Sequence, residues 1–315
     1  MIYKLGPSRV AFNIHVVSWG FFLMLLSKCV GMFSEVMAWK LILGETTPKL
    51  GFWKLSKIYL QGSSLNYITL TRMGGEPLKV IAIRDHASLA EAAASVIVLK
   101  FSDLLGFWIT IGIGFLTIFF LADLSADIKT GVGSALAFLT VFIATLMWIQ
   151  RKGIHMPFTW LLRQFKSKTE WIKTQVLRLG RLDEHIWVAY RSRRKRIAFA
   201  VLLCAASWIE EIFFIWLVLH FLSVREDWFI PIVIGTISLL LNHLFFFVPW
   251  RAGTQEGTMV LSFSLLSLSE PVGLSVAILR RMRELVLVFL GLILFALETL
   301  RPYSSGDFSS GPLSS

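Results

Sequence analysis

The sequence predicts an all-α, polytopic transmembrane helical bundle with two related halves and short re-entrant or broken helices. Three observations predict it. The 315 residues are 56% apolar and 14% aromatic, and only 16% are charged, against about 25% in soluble domains. Mean hydropathy is +0.69. Charge-free runs approach the ~20 residues that cross a hydrocarbon core at 1.5 Å each. Two stretches also repeat at a constant offset of 180 residues. Ten-residue alternating strands are missing, and the apolar runs are too long for a barrel. An ordinary soluble enzyme and a disordered chain are both excluded by this composition.

In chain order, Lys4 and Arg9 precede the first run, Val10–Ser27 of 18 residues, which lacks a small-residue cleavage site and reads as an uncleaved span. Lys28–Asp103 is semi-polar and does not span cleanly. Leu104–Ala122 (19 residues) and Gly131–Gln150 (20 residues) are clean spans. Ile197–Leu222 is long enough but carries Glu210 and Glu211 at mid-depth, Phe229–Trp250 has 22 residues, and Val272–Leu297 is broken by Arg280, Arg281, Arg283 and Glu284. Ile58–Leu70 and Thr258–Ser269 are too short to cross and read as half-membrane elements. The domain reading is one integral membrane unit over 1–301 with repeat cores at 66–122 and 242–298, then a Ser/Gly-rich disordered tail at 302–315.

Charge sets the topology. Residues 151–196 hold 13 Lys/Arg and three acids, so this segment carries +10 of the +11 formal charge. The positive-inside rule places it in the cytoplasm, against anionic headgroups. The breaks at Asp123–Lys129 and Arg225–Asp227 each sum to −1 and read as the far side. Trp160–Trp187, inside the basic segment, has the spacing of a surface-lying amphipathic helix. No nucleic-acid recognition module is visible. Cys29 and Cys204 fit no metal or redox spacing, and His220 and His243 read as packed histidines rather than ligands. No cofactor or metal is expected. No catalytic motif emerges either, so the chain is not expected to be an enzyme.

The repeat carries the candidate site. Glu76 pairs with Glu256, Ser95-Val96 with Ser275-Val276, and Lys100 with Arg280. A Gly-containing turn precedes each Glu, as Arg72-Met-Gly74-Gly75-Glu76 and Arg251-Ala-Gly253-Thr-Gln-Glu256, with Asn66 or Asn242 upstream. Transporter sites lie near mid-membrane, where broken helices of two repeats meet. Irregular backbone at that depth must be buried in protein or line water. The expected headgroup-binding set is therefore Asn66, Arg72, Gly74, Gly75, Glu76, Lys100, Asp103, Arg251, Gly253, Glu256, Arg280, Arg283 and Glu284. Guanidinium groups bind phosphate in bidentate fashion, and glycines admit backbone N–H donors to the same anion. The bland reading is a set of structural salt bridges, which suits Lys79 and Arg281. Glu210 and Glu211 either pair with an Arg of Arg280–Arg283 or serve proton coupling. Whether the halves are inverted or parallel turns on the span count within 28–103.

Asn66-Tyr-Ile-Thr-Leu-Thr-Arg-Met-Gly-Gly-Glu76 and Pro249-Trp-Arg-Ala-Gly-Thr-Gln-Glu-Gly257 resemble two motifs of the flippase-like, lysylphosphatidylglycerol synthase transmembrane family, and Ser275…Arg280-Arg-Met-Arg-Glu284 fits its final span. The resemblance covers roughly Ser34 to Glu298. Thr69–Thr71 lack the proline of the first motif, and Lys79 stands where an Arg is common. Gln255 and the carboxylates of Trp208-Ile-Glu-Glu211 resemble the hopanoid-biosynthesis-associated branch. The resemblance implies a multi-pass protein of the bacterial inner membrane whose partners are membrane lipids, with the translocation part of the family's activity rather than its aminoacyltransferase. The expected function is lipid translocation with anionic or phosphate-bearing headgroups in a polar cavity between the repeats. The alternatives are a non-catalytic accessory to a hopanoid or lipid-glycan enzyme and, more weakly, an intramembrane lipid-modifying enzyme.

Overall fold

The structure is a computed structural model that describes residues 7–44, 50–69, 73–121, 124–152, 186–188, 191–224, 227–245, 248 and 253–300. Within them lie ten helices and no strand: α1 (Pro7–Val17), α2 (Gly20–Leu43), α3 (Phe52–Ile68), α4 (Gly75–Ala82), α5 (Leu89–Phe120), α6 (Ala126–Lys152), α7 (Arg194–Phe221), α8 (Ile230–Leu244), α9 (Thr254–Leu265) and α10 (Glu270–Thr299). Four segments are long and apolar enough to cross a membrane: Gly20–Leu43, Leu89–Phe120, Ala126–Trp148 and Arg194–Phe221. The molecule is a multi-pass membrane protein, all-α as its composition predicts.

Helix ends follow local chemistry. Ser88 starts α5 with a capping box, its hydroxyl accepting from the Glu91 N–H while Glu91 accepts from the Ser88 N–H. Pro271 opens α10 and Pro231 opens α8, where a missing N–H costs nothing. Gly253 precedes α9 at φ 77°, a left-handed conformation that glycine adopts without a Cβ clash.

Several expected boundaries are corrected. Val10–Ser27 is not one span: the helix breaks at Ser18, φ 26°, beside Trp19, which is 84% exposed. The crossing is α2, which runs on through Lys28, Glu35 and Lys40. Hydropathy counting stops at Lys28, whereas the structure pairs Lys28 with Glu211 at 2.6 Å. Leu104–Ala122 is the far part of the longer α5, which already contains Lys100 and Asp103. Within Phe229–Trp250 the described helix is α8, Ile230–Leu244. The amphipathic reading of Trp160–Trp187 lies almost wholly outside the described residues, and the tail at 302–315 lies entirely outside them.

Contacts fix helix directions. Along α2 and α7, Gly20 meets Phe221, Ser27 bonds Glu210, Glu35 bonds Ser207, and Arg193 donates to the Ile42 and Leu43 carbonyls. Rising numbers on one helix meet falling numbers on the other, so the two are antiparallel. By the same test α3 opposes α10, through Lys57–Glu298 and Ser64–Gly291, and α5 opposes α8, through Phe107–His243 and Gly114–Thr236. Small residues let these backbones approach, as is common between membrane helices.

Two helices are each followed by a short helix that runs back beside them. α3 is about 26 Å long and α4 about 12 Å, both shorter than the ~30 Å hydrocarbon core. α4 returns to where α3 began: Lys54 lies 3.0 Å from His86, and Ile83 packs with Leu50 and Leu55. α8 and α9 do the same from the opposite end, where Leu265 and Leu266 rejoin Phe229. Hence α2–α5 and α7–α10 are two units of one plan, each a crossing, a re-entrant hairpin and a long crossing. α2 and α5 together bring the chain back to the end where it started, so a second unit following directly would lie parallel to the first. α6, packed on the rim against α5 through Trp108–Thr140 at 2.9 Å, adds one crossing and inverts the second unit.

Candidate functional site

Each short helix carries its glutamate in the first turn, and an asparagine from the preceding helix bonds across the hairpin. In the first unit Asn66 accepts from the Gly75 N–H at 2.8 Å and donates to Glu76 at 2.7 Å. The α3–α4 hairpin closes backbone to backbone: a Cβ on Gly75 would sit 1.7 Å from the Gly62 carbonyl oxygen. Glu76, thus fixed, takes Lys100 at 2.9 Å and Lys79 at 3.4 Å. Lys79 is 1% exposed and lies over the Tyr59 ring at 4.4 Å. Lys100 keeps a large part of its side chain exposed.

In the second unit Asn242 donates instead to Thr258 at 2.8 Å and to the Ser238 carbonyl at 2.9 Å. Glu256 turns to Arg281 at 3.0 Å, and the buried Gln255 donates to Glu284 at 3.4 Å. Glu256 and Gly253 do not line the cavity described below; Gln255, one residue earlier, is the one that touches a cavity-lining carboxylate.

Between the units lies a charge network that both share. Arg283 is fully buried, stacks over Phe214 at 4.0 Å, and reaches Glu210 with one guanidinium nitrogen and Glu211 with the other at 2.8 Å. Lys28 and Arg280 complete the shell of Glu211, and Arg280 also reaches Glu284 at 3.4 Å. Glu210 and Glu211 both pair with Arg283, and Glu211 also pairs with Arg280. Arg283 sits behind the cavity wall. A buried pair that loses one member leaves an uncompensated charge, so this network ties α2, α7 and α10 together.

In front of it is a polar cavity of about 360 Å³ bounded by α2, α3, α4, α5, α7, α8 and α10. Lys28, Lys79, Lys100 and Arg280 line it, with Glu35, Asp103, Glu211 and Glu284. Of the expected set it brings together Asn66, Lys100, Asp103, Arg280 and Glu284. Glu76 stands behind Lys79 and Lys100, and Gly74 and Gly75 shape the turn. Arg72 and Arg251 lie outside the described residues. Lys28, Glu35, Tyr59, Ser207 and His243 are lining residues that sequence reasoning missed. A usable signal existed for two of them: Lys28 and Glu35 are seven apart on an apolar helix, two turns along one face.

Glu35 and Asp103 differ from the other acids. Glu35 accepts from Tyr59 at 2.6 Å and Ser207 at 3.2 Å, and Asp103 from the Trp208 indole at 2.9 Å. No cation lies within ion-pair distance of either among the described residues. Lys100 and Asp103, three apart on α5, therefore part company, one toward Glu76 and one toward Trp208. The cavity thus offers the ammonium of Lys100 and two carboxylates that, among the described residues, bond neutral donors. No group of three or more metal-ligating side chains occurs among the described residues, and Cys29 and Cys204 are free thiols.

The family described as the lysylphosphatidylglycerol synthase TM region matches residues 1–291. The chain belongs to this family. Membership makes it a membrane protein of lipid metabolism or transport. No curated protein and no solved structure matches it.

Proposed function

We propose that this member of the lysylphosphatidylglycerol synthase transmembrane family translocates a lipid, passing its phosphate-bearing headgroup through the cavity between the inverted units while the acyl chains stay in the bilayer. The observation that carries this reading is the cavity itself, lined by four cations and four carboxylates between helices long enough to cross a membrane. A bare charge in hydrocarbon is costly, and a cavity with charges already placed there lowers that cost for a headgroup. Lys100, part-exposed beside Glu76, and Arg280 are the phosphate ligands in this proposal. Glu35 and Asp103 favour a headgroup that carries an amine as well as the phosphate. Two re-entrant hairpins of opposite direction suit alternating exposure to the two faces by rocking of one unit on the other. The proposal assigns no covalent chemistry to the cavity. It places residues 151–196 in the cytoplasm of a bacterial inner membrane, against anionic headgroups, by the positive-inside rule.

The test is reconstitution in vesicles of phosphatidylethanolamine and phosphatidylglycerol carrying fluorescent analogues of each. The wild-type chain is expected to move label between leaflets, and Lys100→Gln to slow it about tenfold, a loss of roughly 1.4 kcal/mol in transition-state stabilisation. Glu35→Gln is expected to lower the ethanolamine rate more than the glycerol rate. A wild-type chain that moves neither lipid, yet purifies bound to a lipid-biosynthetic enzyme, would replace transport with the accessory role.

A further inference from the structure

The seam between α3 and α10 is closed at one end and open at the other. At the closed end Lys57 and Gln61 both bond Glu298. There a Cβ on Gly291 would lie 2.1 Å from the Ser64 hydroxyl and 2.8 Å from the Leu60 carbonyl oxygen. One turn beyond Ser64, α3 ends at Ile68, and there Tyr67 and Ile68 face α10 across an apolar cavity of about 520 Å³. Leu285, Val288, Phe289 and Leu292 make its other walls. Tyr67 and Val288 also line the polar cavity, so the two spaces share a wall.

We infer that this groove holds an acyl chain of the same lipid whose headgroup enters the polar cavity, and that the α3–α10 seam is the lateral door between protein and bilayer. The inference rests on the transport reading for its headgroup partner. The occupant is fixed by juxtaposition: a charged chamber and an apolar slot share one wall, and an amphiphile needs both at once. The size falls within the roughly 300–1,000 Å³ of ligand pockets. The lining carries no charge, and Phe289 and Leu285 are open to the surrounding hydrocarbon.

At the equivalent seam, α5 against α8, Phe107 stacks on His243 at 3.9 Å, and Trp208, which lines the polar cavity with His243, stands 5.0 Å and 5.3 Å from those two rings.

Photolabelling tests this with the full chain in vesicles of phosphatidylethanolamine and phosphatidylglycerol containing phosphatidylglycerol with a diazirine in its acyl chain. Labelled positions are expected to concentrate at 285–292. Val288→Trp, which fills the groove, should lower that labelling and the rate of lipid movement at least fivefold. Leu290→Trp, on the same helix but lining neither cavity, should leave both unchanged. Even labelling of Phe138, Phe199 and Phe289, or labelling that Val288→Trp does not reduce, overturns the inference. So does a crosslink between two copies at Phe289 in place of lipid label. If the wild-type chain moves no lipid, the transport reading falls, and the labelling pattern still decides the groove.

Discussion

The two re-entrant hairpins share a plan and differ in what they do with it. Both begin with a helix, turn at a glycine, and place a glutamate in the first turn of a short return helix. In the α3–α4 hairpin the asparagine grips that glutamate directly, and the glutamate faces two lysines that line the cavity. In the α8–α9 hairpin the asparagine grips Thr258, and the glutamate leaves the cavity for Arg281. The first hairpin puts Asn66 and Lys79 on the cavity wall, and the second puts His243 there. Duplicated backbones thus need not give duplicated chemistry, because one hydrogen-bond choice at the asparagine redirects the carboxylate.

The largest expected effect is at the network both units lean on. Arg283→Leu leaves Glu210 and Glu211 with only the part-exposed Lys28 and the shared Arg280. Breaking a buried pair costs about 3–5 kcal/mol. Thermal unfolding in detergent should show a large drop, and adding Glu210→Gln to the same chain should recover part of it. An unchanged midpoint for Arg283→Leu would mean that the units are joined by apolar packing alone.

A smaller effect separates the hairpins from each other. Gly75→Ala puts a methyl into the Gly62 carbonyl, and overpacking of this kind costs about 1–3 kcal/mol. Gly257, in the first turn of α9, has nothing within 4 Å of where its Cβ would stand. Gly257→Ala should therefore leave the unfolding midpoint at or slightly above wild type, since alanine is the better helix former. Equal losses at both positions would erase the distinction between a closed hairpin and a loose one.

Much of this was legible in the sequence, and the limits have physical causes. The all-α class, the offset repeat and the two glycine–glutamate turns follow from composition and local pattern. The inversion did not, because Lys28–Asp103 conceals half a crossing, a whole hairpin and the start of α5. A charge in a membrane helix ends a hydropathy run, yet costs little when its partner waits on a neighbouring helix, as Glu211 does for Lys28. Pairing across elements is invisible in one dimension. For that reason Tyr59 and Ser207, on two different helices, are not legible in the sequence. The equivalence of Glu76 and Glu256 in the repeat also did not carry through to side-chain direction, which the asparagines decide.

That last divergence gives the smallest effect and the sharpest contrast. Glu76→Gln removes the carboxylate that holds Lys79, an ammonium 1% exposed, together with Lys100. Lys79 then has only the Tyr59 face and the new amide oxygen, and Lys100 loses the anchor that aims it at the cavity. Lipid movement in vesicles should fall several-fold. Glu256→Gln releases Arg281 from a partly exposed pair, and such pairs contribute about 0–1 kcal/mol. Its rate should stay within about twofold of wild type, because neither partner lines the cavity. If Glu256→Gln proves as damaging as Glu76→Gln, the second glutamate enters the path in a conformation other than this one, and the units work as equals that take turns.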